Sequence, residues 1–203
     1  MVQQAKTISG TIALLCAAMI GVHLINLLLG GALYGFGLEP REIDGADGIL
    51  FSPLLHGDWG HLGSNLAAFV VLAALTLLDG VRRFAKASAI IIIGGGILLW
   101  LFGRGGLHVG ASGWIFGLWA MVIAQAWYDR RWRNIVIALG VLVFYGSMAL
   151  GFLPLQPGVS FEGHLFGAIA GVFAARVLSR PTAIDARPAP RAGELKFWPD
   201  EKR

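Results

Sequence analysis

Apolar residues in this chain come in long blocks, without a strict helical or strand period and with only short polar breaks between them. A segment that is apolar on every side belongs in a bilayer or deep inside a core. A helix needs roughly 20 predominantly apolar residues to cross a bilayer. Six blocks approach that length, at about 8–29, 61–78, 84–102, 112–128, 135–150 and 161–178. The last three are short, which points to helices that start below the surface or tilt where the bilayer is locally thin. The pattern predicts an all-α integral membrane protein, a six-transmembrane-helix bundle over residues 1–180. The charged, Pro-containing stretch 181–203 reads as a disordered tail. The first block is too long for a signal peptide and lacks a clean small-residue cleavage site, so it is expected to be retained.

Composition agrees with this picture. The 203 residues are 56% hydrophobic and 14% charged, against about 25% charged in a soluble domain. Charge placement adds an orientation. With a cytoplasmic N-terminus and six spans, fourteen of the sixteen Lys and Arg fall on the cytoplasmic side, and only Arg41 and Arg104 lie outside. Acidic residues split evenly, as the positive-inside rule allows. The basic isoelectric point near 9.6 therefore reflects topology, with the lipid bilayer as partner and no call for nucleic acid. Cys16 is the single cysteine, so neither an intramolecular disulfide nor a cysteine metal site is possible.

Against this apolar background a few polar residues stand out. His23 and Asn26 in the first block are expected to hydrogen-bond between helices. The external loop 30–60 is long and acidic but carries Tyr34, Phe36, Ile49 and Phe51, too apolar a set for a disordered tether. It is expected to pack beside the bundle. His61 and Asn65 are four apart and share one face of the second block. His56 and His61 have poor spacing for chelation, and no His-Glu-x-x-His occurs, so no metal or other cofactor is expected. Gly94-Gly95-Gly96 in the third block permits close backbone approach, or a local kink. Ser112 opens the fourth block within Gly110-Ala111-Ser112-Gly113. In the sixth, Gly163, Gly167 and Gly171 repeat every four residues beside His164, a face suited to tight helix contact.

The topology puts the starts of the second, fourth and sixth blocks at one depth, on the outer side. His61, Asn65, Ser112 and His164 then share that depth. A serine becomes a nucleophile when a base lies within hydrogen-bond reach, and histidine titrates in the useful range. The Ser112 N–H, the His61 ring and the Asn65 amide are candidate donors to a developing oxyanion. Asp58 and Glu162 fall at loop positions, so a dyad is expected rather than a triad.

His61-x-x-x-Asn65, Gly110-x-Ser112-Gly113 and Gly163-His164-x-x-Gly167-x-x-x-Gly171, in this order, resemble the motifs of the rhomboid family of intramembrane serine proteases. The resemblance covers about residues 8–178, and Pro53 and His56 also fall where family members often have them. It implies Ser112 as nucleophile, His164 as general base, and an oxyanion hole lined by His61 and Asn65. The implied activity is hydrolysis of peptide bonds in or near transmembrane segments of membrane proteins, in a bacterial plasma membrane, with both termini cytoplasmic. Two features depart from the family pattern. The first external loop has no Trp-Arg pair, Pro40-Arg41 being the nearest feature, and Phe116 stands where many members carry Tyr. A rhomboid-like pseudoprotease would bind without cutting, but would be expected to lack the serine or the histidine. A transporter would explain the glycines but not the shared depth of the four polar residues.

Overall fold

A computed structural model describes residues 2–155 and 158–179; the tail expected over 181–203 lies outside the described residues. Helix α1 spans Val2–Leu28, and α2 is a single turn at Gly48–Phe51. The long helices that follow are α3 (Trp59–Leu77), α4 (Val81–Phe102), α5 (Ser112–Tyr128), α6 (Trp132–Tyr145) and α7 (Phe161–Leu178). Short 3₁₀ turns occupy Ala32–Phe36, Ser52–Leu54 and Gly146–Phe152, the last continuing α6. All regular elements among the described residues are helical, as the pattern predicts. Among the described residues, five spans are long and apolar enough to cross a membrane: α1, α3, α4, α6 with its 3₁₀ extension, and α7. The fourth block, 112–128, forms α5, whose 17 residues fall just short of a full crossing.

That short helix is the centre of the bundle. Residues Trp114 to Val122 are buried without a break, and α3, α4, α6 and α7 all pack on it. A helix enclosed by others needs no polar face, which is why its block carries no amphipathic period. Phe69, Leu72, Ile91, Leu118 and Met121 fill the core around it. Trp114 satisfies its indole N–H on the Ser88 hydroxyl at 3.0 Å. By contrast, α6 shows Val143 and Phe144 at its surface, 77% and 81% exposed, a surface matched to lipid.

Capping sets where the helices begin. Asp58 caps α3 by accepting from the His61 N–H at 2.8 Å, and Ser160 caps α7 by accepting from the Gly163 N–H at 3.0 Å. Both are acceptors for N–H groups that have no partner inside their helix. The Asp58 carboxyl is held below the usual carboxylate range, chiefly by that bond from the His61 backbone.

A polar cluster ties the opposite ends of the helices. Asp79, after α3, accepts from Gln125 of α5 at 2.9 Å and also from Arg133 of α6. Burial pushes the Asp79 carboxyl up, but these hydrogen bonds outweigh it and hold it low. Asp129 pairs with Arg131, and Arg83 of α4 donates to the carbonyl of Leu178.

The loop between α1 and α3 packs as expected, but its anchors are more dispersed than a Trp-Arg pair. Arg41 donates to the Gly103 carbonyl at 2.7 Å, and Trp100 of α4 donates to the Glu42 carbonyl at 2.9 Å. Leu38 and His108 exchange backbone hydrogen bonds at 3.0 and 2.8 Å. His23 and Asn26 also serve this loop rather than a neighbouring helix. Asn26 accepts from the Leu33 N–H at 2.9 Å, and the His23 Nδ1–H donates to the His56 carbonyl at 3.1 Å.

Candidate active site

Glycine decides how near the site-bearing helices approach. A Cβ on Gly113 would stand 3.1 Å from the Gly163 carbonyl oxygen. One on Gly167 would overlap the Gly113 carbonyl, and one on Gly171 the Gly117 carbonyl. So α5 and α7 meet backbone to backbone along the glycine face read from the sequence. The Gly94-Gly95-Gly96 run acts by close approach within an unbroken α4, because a Cβ on Gly95 would lie 3.1 Å from the Gly167 Cα.

Ser112 and His164 are the residues flanking the first of these contacts. His164 is 7% exposed, and its ring stacks on Phe116, with centroids 4.0 Å apart and planes 4° from parallel. Phe116 lies four residues after Ser112, on the same face of α5. The stack therefore holds the imidazole on the serine side of α5, and the ring without a hydroxyl suffices for it. Ser112 opens α5, so its N–H is among the first four, which have no acceptor within the helix.

His61 reaches from α3 to Gly110, in the turn that precedes Ser112. A Cβ on Gly110 would fall 2.6 Å from both Cε1 and Nε2 of His61. Gly110 also has φ +118°, a backbone that favours glycine. Both constraints explain the first glycine of the serine motif: it makes the turn and admits the His61 ring. Asn65 is 5% exposed and donates from its amide to the His61 carbonyl at 2.7 Å. Behind His61 stands His56, fully buried, with ring centroids 5.2 Å apart. Burial first, then the neighbouring His61, pushes the His56 imidazole down to about 4, so it is neutral at physiological pH.

The four residues singled out from the sequence line one open cleft of about 980 Å³. His61 and Asn65 stand on one wall, and Ser112, Phe116 and His164 on the other. Glu162 does not line the cleft, and Asp58, at its rim, is committed elsewhere. Asp58 is the cap of α3, and Glu162, which lies in the first turn of α7 and not in a loop, pairs with Arg104. Three contributors were missed. His108 lines the cleft, donating from Nε2 to the Arg104 carbonyl at 3.0 Å and bonding the Ser160 hydroxyl at 2.8 Å through Nδ1. Arg104, beside it, bridges the α4–α5 loop to α7. Gly151 accepts from His164 Nδ1 at 2.9 Å through its carbonyl. The histidine within the serine motif was a legible signal for the first; the last is a backbone atom and left none.

Among the described residues, no group of His, Cys, Asp and Glu is arranged to hold a metal ion. The site is built from serine, imidazoles, an amide and backbone N–H groups, a set suited to acyl transfer.

Comparison with known proteins agrees with this geometry. Residues 46–181 match the model of the rhomboid domain. The chain is 43% identical to an uncharacterized protein of Mycobacterium tuberculosis over 198 residues, covering 93% of this chain and 82% of the relative. An uncharacterized protein of Mycobacterium leprae is 38% identical over 180 residues, 84% of this chain and 71% of the relative. RHOMBOID-like protein 4 of Arabidopsis thaliana is 30% identical over 147 residues, 70% of this chain and 37% of the relative. A domain match that runs from the loop before α3 to the end of α7, and so takes in every wall of the cleft, makes this multi-pass membrane protein a member of the rhomboid family.

Proposed function

We propose that the chain is an intramembrane serine endopeptidase, hydrolysing peptide bonds in or near transmembrane segments of membrane proteins with a Ser112–His164 dyad. The observation that carries this reading is the stacking of His164 on Phe116, one helical turn from Ser112 on the same face of α5, inside an open cleft. The Ser112 oxygen attacks the scissile carbonyl and His164 Nε2 takes its proton. His61, Asn65 and the Ser112 N–H stabilise the oxyanion. His164 then protonates the leaving amine, and a water deprotonated by the same imidazole hydrolyses the acyl-enzyme.

The substrate route follows from a second hollow, a groove of about 560 Å³ between α3 and α6 lined by Val71, Leu75, Ile137, Gly140 and Phe144. Tyr145 borders both this groove and the cleft. An apolar helix seated in the groove would present its end to Ser112. The basic residues clustered at the opposite ends of the helices support a plasma-membrane orientation with the cleft facing outward.

The test is incubation of the purified protein with a panel of single-pass membrane substrates. Ser112→Ala and His164→Ala should each abolish cleavage while the protein still folds, and the double variant should be little worse than either, because the pair acts as a unit. Substantial turnover by Ser112→Ala would sink the mechanism. Substrate capture without cleavage by the unaltered chain would leave a pseudoprotease.

A further inference from the structure

The expected dyad leaves open what orients the base. A neutral imidazole has two tautomers, and only the one protonated at Nδ1 leaves Nε2 bare to accept the serine proton. In proteases with a third member, a carboxylate fixes that choice. Among the described residues none of the carboxylates bonds His164: Asp58 caps α3 and Glu162 is paired with Arg104.

The geometry points to the backbone carbonyl of Gly151 as the third member of this site, a positioning group that holds His164 in the Nδ1–H tautomer with Nε2 turned to Ser112. The inference rests on the serine-protease reading of the cleft. A carbonyl oxygen only accepts, so its 2.9 Å contact with Nδ1 requires the proton on Nδ1. The ring is also clamped on its face by Phe116, so tautomer and plane are fixed by two different elements.

The identity of residue 151 fits this role. A Cβ there would stand 2.6 Å from the Phe116 Cζ and 3.1 Å from His164 Nδ1. Any other residue would push on both members of the stack. The next residue, Phe152, seats the turn against α5, with its ring centroid 5.4 Å from that of Phe116 and 6.0 Å from that of Trp119.

The carbonyl also comes from an unexpected place. The 3₁₀ turn that carries it continues α6, and the span Trp132–Phe152 is only 11% buried, the lowest share of the five candidate spans. The same span forms one wall of the groove assigned above to substrate. Orientation of the base therefore depends on how the most loosely packed span is seated.

The experiment has two arms on the full chain in detergent micelles. In the first, the amide linking Gly151 and Phe152 is replaced by an ester, by incorporating the α-hydroxy analogue of phenylalanine at 152. This weakens the Gly151 carbonyl as an acceptor and leaves every side chain in place. The expected result is a fall of about tenfold in kcat and kcat/KM together, with KM nearly unchanged. An ester at Leu153 removes the Leu153 N–H bond to the Leu150 carbonyl in the same turn but spares the Gly151 carbonyl, and should cost less than twofold. In the second arm, ¹⁵N spectra of histidine-labelled protein, with His164→Gln used to assign the signal, should show His164 protonated at Nδ1. That preference should weaken in the Phe152 ester.

Equal losses for the two esters, or a His164 protonated mainly at Nε2 in the unaltered chain, would overturn the inference. The spectra need no turnover. If the unaltered chain cleaves nothing and its serine reacts with no fluorophosphonate, the protease reading fails on its own, and the tautomer still decides whether Gly151 holds the ring.

Discussion

At the residue scale, Asn65 separates a chemical role from a structural one. Its amide hydrogen-bonds its own helix, four residues back, so truncation breaks no bond between helices. Asn65→Ala should therefore lower the melting temperature only slightly, in line with one local hydrogen bond at about 1 kcal/mol. If its amide turns to the oxyanion, kcat and kcat/KM should fall together, by up to about 10²–10³ where no other donor compensates, with KM nearly unchanged. Single-turnover cleavage and thermal unfolding measured on one preparation settle the point, and normal turnover would remove Asn65 from the site. His56 makes a different prediction. Its folded pKa, about 4, lies below the usual 6.5, so the unfolded chain binds the proton more readily. It leaves stability untouched above pH 6.5, and stability falls as the pH drops from 6.5 toward 4. The melting temperature should decline through that window, and decline less in His56→Gln.

At the element scale, the contact between α5 and α7 sets the position of His164 relative to Ser112. A methyl on Gly167 overlaps the Gly113 carbonyl, and neither backbone can yield without moving Ser112 away from His164. Gly167→Ala should cost about 1–3 kcal/mol, as overpacking does, and the surviving folded protein should turn over more slowly. Gly21→Ala on α1, where a Cβ meets nothing within 4 Å, is the control and should lower neither. Much of this was legible from the sequence. Polar letters inside apolar blocks, and glycines at four-residue spacing, are rare enough to be read, so α3, α5 and α7 and their four side chains could be brought to one depth. What escaped was contact made through the main chain. The Gly151 carbonyl has no letter, and Arg41 and Trp100 anchor the loop between α1 and α3 through carbonyls of distant residues. The 3₁₀ continuation of α6 was likewise hidden, because Gly146–Phe152 has the same apolar composition as a helix.

At the scale of the whole molecule, the bundle has a wet end and a tied end. The cleft opens at the starts of α3, α5 and α7, while Asp79, Gln125, Arg133, Asp129 and Arg83 join the helices at the other. The loop at residue 45 and the turn at residue 130 belong to these two ends. Single-cysteine variants at Gly45 and Arg130, made in a Cys16→Ala background, should react with an impermeant thiol reagent from opposite sides of the membrane, residue 45 from outside. Labelling of both from one side would overturn the proposed topology. The arrangement also divides the bundle: the tied end and the buried α5 form its enclosed part, and α6 with its 3₁₀ turn is the least buried of the candidate spans.

The glycine contact between α5 and α7 has a further consequence, for inheritance. Most packed helices can change over generations by trading a large residue on one side for a small one on the other. Gly113, Gly167 and Gly171 leave no such exchange open, because a Cβ on any of them meets the main chain of the facing helix. Every missense codon change there adds at least one carbon, and at Gly167 and Gly171 that carbon lands on main chain, which no second substitution opposite can shrink. Neutral drift in this protein is thus channelled away from the serine-bearing helix pair and onto the exposed surface of α6, where Val143 and Phe144 stand clear of the other helices.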